Sequence, residues 1–277
     1  MAIVLATATG AALSLVLEFA QSFLPTRIPS NVDVLANVLG ATGGAFAAAL
    51  LARWLRWDGP VHRLRALALE PGAAADLGLA LLGLWLFAQL NPATLLFGSG
   101  DLRDLVASAA GRSYEAELFV SIEAAVTAMN LAAVAVLASA GVRPEAPLRP
   151  LLTLLVVVAL VVKTFAFAIL MRAEHVFAWL TPGAQLGLAA GVALALAALW
   201  LPRTARLAMA AVLLMVATVL VNLAPPNPYF VATLKVWEQG HFLNFNGLTR
   251  LVSAAWPFAA LGYLVYLAAA QRRKPLQ

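Results

Sequence analysis

The stretch LEFAQSFLPTRIPSNVDVLANVLGATGG, Leu17–Gly44, carries Glu18, Gln21, Arg27, Asp33 and Asn37 between two long apolar runs. Polar side chains are costly beside lipid, so their collection in one short segment marks a boundary. Pro25 is expected to stop one helix, and Pro29-Ser30 to start the next. Ser30 suits a helix cap, with Asp33 three residues on to return the hydrogen bond. A carboxylate there also suits the positive end of the helix dipole. Asp33, Asn37, Gly40 and Gly44 follow at helical spacing near one face. Gly40-x-x-x-Gly44 is a small-residue surface of the kind that lets a second helix approach closely. Glu18 and Gln21 share a face of the first helix.

Composition extends this reading to the whole chain. Of 277 residues, 63% are hydrophobic and only 11% are charged. Mean hydropathy is +0.90. A soluble domain is nearer half apolar and a quarter charged, so the chain reads as an integral membrane protein. It has no cysteine, which excludes disulfides, thiol catalysis and thiolate metal sites. The first apolar run lacks a basic leader and a small-residue cleavage site, so it reads as a spanning helix and not a signal peptide.

A crossing helix needs about 20 apolar residues. Eight runs qualify: Ala2–Leu24, Asn31–Trp54, Ala74–Leu90, Glu117–Ala140, Leu151–Met171, Ala184–Leu201, Ala205–Ala224 and Leu248–Ala270. The third is the shortest and is read as continuing through Pro92 towards Phe97. The fold class is therefore all-α, a polytopic bundle of eight spans. Net charge is +5. Eleven basic residues fall on alternate connections: Arg53, Arg56, Arg63 and Arg65, then Arg143 and Arg149, then Arg203 and Arg206, then Arg272, Arg273 and Lys274, while the other side carries Arg27, Arg103, Arg112, Arg172, Lys235 and Arg250 spread thinly among acids. By the positive-inside rule the first set faces the cytoplasm, as do both termini. The basic charge is thus explained without nucleic acid. The turn at Pro25–Ser30 then lies on the outer face.

Two readings of the polar segment compete. In one, Arg27 pairs with Asp33 or Glu18, Asn37 bonds across helices, and the glycines pack. In the other, the segment is an outward-opening ligand site; caps and packing explain Glu18 and Gln21 poorly, which favours this one. At these residues the chain resembles the VanZ-like family of bacterial membrane proteins. The family's helix ends in Glu-x-x-Gln, turns through Pro-x-Arg, and resumes with Asp-x-x-x-Asn-x-x-Gly; here these are Glu18, Gln21, Pro25, Arg27, Asp33, Asn37 and Gly40. The resemblance covers about the first fifty residues. It divides the chain into a family-like helix pair, 1–54, and a further six-helix region, 74–270. It implies a role in the bacterial cell envelope at the cytoplasmic membrane, with the namesake linked to teicoplanin resistance. The family's Asp-Lys-x-x-His motif is missing before Glu18, which implies a start upstream of Met1 or a degenerate copy. The expected partners are membrane lipids and a lipid-linked envelope precursor. Arg27 would hold an anionic group by its fork, and Asp33 or Glu18 would orient it or act as base.

Elsewhere, Lys163 interrupts the run VVVALVVKTFAFAIL at the depth expected for Glu123 on the preceding helix. An unpaired charge there costs about 2.5–3.5 kcal/mol on the insertion scale, so a buried Glu123–Lys163 ion pair is expected. The alternative is that Lys163 bonds backbone carbonyls. Gly78, Gly83, Gly187 and Gly191 are candidates for close helix packing. Asp101, Arg103 and Asp104 read as a solvated outer loop. The aromatic loop Pro225–Gly247 suggests a short interfacial helix, read first as an aromatic belt with no ligand. His62, His175 and His241 are scattered, so no metal is expected. No phosphate loop, nucleophile elbow or dinucleotide fingerprint is present, and no cofactor is implied. Two rivals to the envelope reading are a small-solute or proton-coupled transporter and a non-catalytic membrane scaffold.

Overall fold

The computed structural model describes residues 1–21, 23, 31–56, 59–103, 116–170, 176–225, 227 and 246–272. Among them the regular structure is helical: α1 Ala2–Gln21, α2 Asn31–Leu55, α3 Pro60–Ala68, α4 Ala73–Ala88, α5 Ala116–Ser139, α6 Leu148–Leu170, α7 Pro182–Ala198, α8 Arg203–Leu223 and α9 Asn246–Arg272. All eight expected runs form helices. Six of these, α1, α2, α5, α6, α8 and α9, are long and apolar enough to cross a membrane. The other two, α4 and α7, have 16 and 17 residues. At 1.5 Å per residue they are shorter than the hydrocarbon core. Helix is the dominant solution because each backbone group must find its partner within the protein. The segment holding Arg63 and Arg65, read as a connecting loop, folds as the additional helix α3, with Pro60 at its start.

Internal contacts divide the chain into Met1–Leu67 and Ala68–Gln277. In the first unit α1 and α2 pack as an antiparallel pair. Asn37 Nδ2 donates to Ser14 Oγ at 2.9 Å. One turn further along each helix, a methyl built on Gly10 would lie 2.6 Å from Ala41 Cβ. Thus the seam runs through Gly10 and Ser14 on α1 and Asn37 and Ala41 on α2. Gly40 and Gly44 lie off this seam: a Cβ at either meets nothing within 4 Å among the described residues. The Asn37 bond sets the rotational phase of α2, and Gly40 lies off that line. Ser14→Ala and Asn37→Ala should therefore be non-additive, with a coupling of about 0.6 kcal/mol in a double-mutant cycle of thermal stability. Gly40→Ala and Gly44→Ala should leave that stability unchanged or slightly higher.

The second unit is built around α5. Residues Leu131–Leu137 are all buried, as expected for a helix apolar on every side and surrounded by others. It packs on α7 through a stripe of glycines at four-residue spacing. Methyls built on Gly183, Gly187 and Gly191 would lie 2.5 Å from Glu123 Oε2, 2.5 Å from Thr127 Cβ and 2.9 Å from Leu131 Cδ2. Of the four glycines singled out in the sequence, Gly187 and Gly191 serve this contact. Gly78 makes room for the Tyr263 hydroxyl, and Gly83 meets nothing within 4 Å. α4 is tied to α9 by Trp256 Nε1, which donates to the Leu81 carbonyl at 2.7 Å, and by the Tyr263 hydroxyl, which donates to that of Ala74 at 2.9 Å. Beside the start of α4 a short backbone bridge closes that end: Glu70 N donates to Gly141 O and Arg143 N to Ala68 O, both at 3.0 Å.

Candidate functional site

The expected continuation of the third span through Pro92 does not occur. α4 stops at Ala88, and the chain from Gln89 to Arg103 turns back without regular structure. Pro92 disfavours the helical conformation at Asn91, and Asn91 Oδ1 accepts from Ala93 N at 2.9 Å, closing a side-chain turn. Gln89, Asn91, Leu96, Phe97 and Ser99 are all buried. Irregular backbone is tolerated at membrane depth only where protein or a wet cavity satisfies it. Here side chains from α5, α6 and α8 and a backbone carbonyl from α9 do so.

Gln89 spans the turn, donating to Trp85 O and accepting from Phe97 N. That bond, with the Phe97 ring 5.3 Å from the Trp85 ring, holds Phe97 at φ 59, a costly value for a residue other than glycine. The Thr127 hydroxyl on α5 donates to Leu96 O at 3.2 Å. Asn222 on α8 donates to Gly100 O at 2.7 Å and accepts from Leu102 N at 2.9 Å. From α9, Ser253 O accepts from Gly100 N at 2.7 Å. This carbonyl is free to do so because Pro257, four residues on, has no N–H. Gly100 itself is required: its φ is +84, and a Cβ would lie 2.7 Å from Thr218 Cγ2.

Lys163 on α6 completes the set. It is buried, and Nζ donates to Asn91 O and Thr94 O at 2.8 Å each and to Thr94 Oγ1 at 3.1 Å. Three oxygen acceptors match the three donors of an ammonium. The Phe167 ring lies 5.9 Å from Nζ. Glu123 is equally buried, but its Oε2 accepts from the Thr181 hydroxyl at 2.6 Å. The same hydroxyl accepts from Ala184 N and so caps α7. The expected contact ion pair is therefore replaced by two separate anchors. The carbonyls of the irregular segment after α4, those of Asn91 and Thr94, offer Lys163 closer partners than a carboxylate does.

Asp101 and Arg103, read as a solvated loop pair, are instead a fixed clamp. Arg103 Nε donates to Asp101 Oδ1 at 2.9 Å, Nη2 donates to Oδ2, and Nη1 donates to Ala224 O at 3.1 Å. Burial pushes the Asp101 carboxyl up, but the hydrogen bonds and charge of Arg103, helped by the charge of Arg250, outweigh it and hold the carboxyl below its ordinary 3.8. A lowered folded value stabilises the protein above the unfolded value and is lost as pH falls through the folded one. Wild type should therefore lose stability relative to Asp101→Asn only below about pH 4, as read by unfolding curves against pH.

Beside this clamp is a cavity of about 40 Å³, lined by Thr94, Ser99, Asp101, Arg103, Asn227 and Ser253 together with apolar residues that include Phe119 and Val221. The elements that meet here are the start of α5, the end of α8 and the start of α9, all on one end of the unit.

The residues first singled out in the sequence lie elsewhere. Asn37 meets Ser14, Asp33 is exposed and Glu18 half-buried. Arg27, the Ser30 cap and the side chain of Gln21 lie outside the described residues, as do Asp104, His175, His241 and the expected interfacial helix after Pro228. Sequence reasoning passed over Gln89, Ser99, Asn222 and Ser253. The usable signals were Asn91-Pro92 closing a short apolar run and Gly98-Ser99-Gly100 after it. No family model matches the chain, and neither a curated protein nor a solved structure does.

Proposed function

We propose that this chain is a multi-pass protein of the bacterial cytoplasmic membrane, VanZ-like in its first helix pair, with eight crossings and both termini cytoplasmic. It binds or modifies a lipid-linked or surface envelope component at the outer leaflet. Six long apolar helices support the membrane assignment. α4 and α7 complete the eight crossings, because each is flanked at one end by irregular protein that shares its hydrogen bonds: Gln89–Arg103 for α4 and the Thr181 turn for α7. The alternation of basic connections then puts the cavity end of the bundle outside.

The observation that carries the reading is the irregular polar segment Gln89–Arg103, enclosed by helices and opening beside a fixed guanidinium. A bundle that only spanned the membrane would gain nothing from interrupting α4 with polar backbone, and polar groups retained at membrane depth are functional candidates by default. Deleting the gene in its host should change the abundance of a lipid-linked envelope species or the sensitivity to teicoplanin. Complementation should fail with Arg27→Lys, which keeps the charge and loses the fork. An unchanged lipid profile together with unchanged drug sensitivity would refute the reading.

Transport is the second reading, favoured by one observation: Lys163 and Glu123 are both buried beside the interrupted segment, an arrangement suited to a proton-linked conformational change. Uptake of a small solute into proteoliposomes, driven by a proton gradient and lost in both Lys163→Met and Glu123→Gln, would select it. The scaffold reading is selected instead if Glu18→Ala and Arg27→Ala complement fully while Gly40→Leu does not.

A further inference from the structure

We propose that the cavity between Ser99, Arg103 and Ser253 binds a phosphate-type oxyanion, as the free ion or as the phosphate ester of a lipid headgroup. The proposal rests on the outer-face reading for the source of the ligand, and on the cavity alone for its chemistry.

Ser99 and Ser253 each line the cavity. They are 1% and 2% exposed, and neither hydroxyl has a hydrogen-bond partner among the described residues. A buried hydroxyl without a partner is expensive, and in a helix such as α9 a serine ordinarily bonds back to the preceding turn. Ser253 does not. The two hydroxyls come from different elements, the irregular segment and α9, yet face one space. Arg103 lines the same space. Its bonds to Asp101 and Ala224 use three N–H groups of the five a guanidinium carries, so two donors remain on a group that Asp101 holds in place.

The charge balance also suits an anion. Asp101 offsets Arg103, while Arg250 lies close enough to act on Asp101. Lys163 bonds Thr94 in the cavity wall, adding positive potential from behind. The set of donors around the space is thus two hydroxyls and two guanidinium N–H groups, against one carboxylate already paired. The volume of about 40 Å³ suits a few water-sized groups, which is the scale of the oxygens of one phosphate and excludes a sugar.

The test uses the full chain, purified in neutral detergent and separately reconstituted into phosphatidylcholine vesicles with and without phosphatidylglycerol. Binding of inorganic phosphate is measured by equilibrium dialysis with radiolabelled ion. Retention of phosphatidylglycerol through delipidation is measured by native mass spectrometry. Saturable phosphate binding, weakened about tenfold per hydroxyl in Ser99→Ala and Ser253→Ala, supports the site with the free ion as ligand. Selective retention of phosphatidylglycerol, weakened by the same variants, supports it with a lipid headgroup as ligand. Neither variant should fold less well, because each removes an unpartnered hydroxyl, and thermal unfolding checks this. Arg103→Lys is a further arm that should weaken binding more than either serine change. Wild type that binds neither anion, or serine variants that bind as wild type does, would overturn the proposal and leave a cavity for water. The deletion phenotype is an independent readout: binding without a phenotype would leave the site standing and remove the envelope role.

Discussion

Lys163→Met is expected to be among the most damaging single substitutions in the second unit. Methionine keeps much of the side-chain volume but offers no donor. The carbonyls of Asn91, which is buried, and of Thr94, both bonded to Nζ at 2.8 Å, would then be left without that partner. Each costs about 1–3 kcal/mol. The Gln89–Arg103 segment hangs on these bonds, so the loss should spread to the Asn222 and Thr127 contacts. The comparison with Glu123→Gln is decisive. Glutamine keeps an oxygen able to accept from Thr181, so its cost should stay below about 1 kcal/mol. A contact ion pair would make the two substitutions similarly harmful, since removing either partner strands the other charge. Thermal unfolding in detergent, read by tryptophan fluorescence, gives both values. Equal losses would restore the ion pair.

Gly187→Val should have a comparable effect by another route. Even a methyl at this position would lie 2.5 Å from Thr127 Cβ and 2.7 Å from the Ala124 carbonyl oxygen. The second is backbone, so the helices must separate. Overpacking of this kind costs about 1–3 kcal/mol for small insertions, and a branched side chain exceeds that. Thr127 also donates to Leu96 O, so displacement of α7 against α5 would disturb the site as well as the bundle. Gly83→Ala is the control. None of the described residues lies within 4 Å of its Cβ, and alanine is the better helix former, so stability should be unchanged or slightly higher. If both glycine positions responded alike, the α5–α7 stripe would not be the close contact described.

Element type was legible because eight apolar runs leave the backbone little alternative to helix. Where two states were open, the reading went astray. The residues after Ala88 are apolar enough to pass as helix, and only Asn91-Pro92 and the glycines at 98 and 100 signal otherwise. Lys163 needs partners on composition alone, but composition cannot show that the irregular segment after α4 supplies carbonyls to it. Gly40 and Gly44 satisfy the spacing for close packing. The phase of α2 is nevertheless set by Asn37 meeting Ser14, a pairing visible only once both helices are built. Ser99 and Ser253 are 154 residues apart in sequence, and Pro257 brings them near by freeing one carbonyl for Gly100.

The most direct measurement is site-directed labelling, which the cysteine-free chain makes clean. A single cysteine at Asn227, on the cavity wall, and one at Glu145, in the arginine-bearing connection between α5 and α6, would be treated in intact cells with a membrane-impermeant maleimide. An outward-opening cavity requires Asn227→Cys to react from outside and Glu145→Cys to react only after the cells are broken. Labelling of Glu145→Cys from outside, with Asn227→Cys protected until lysis, would contradict the account.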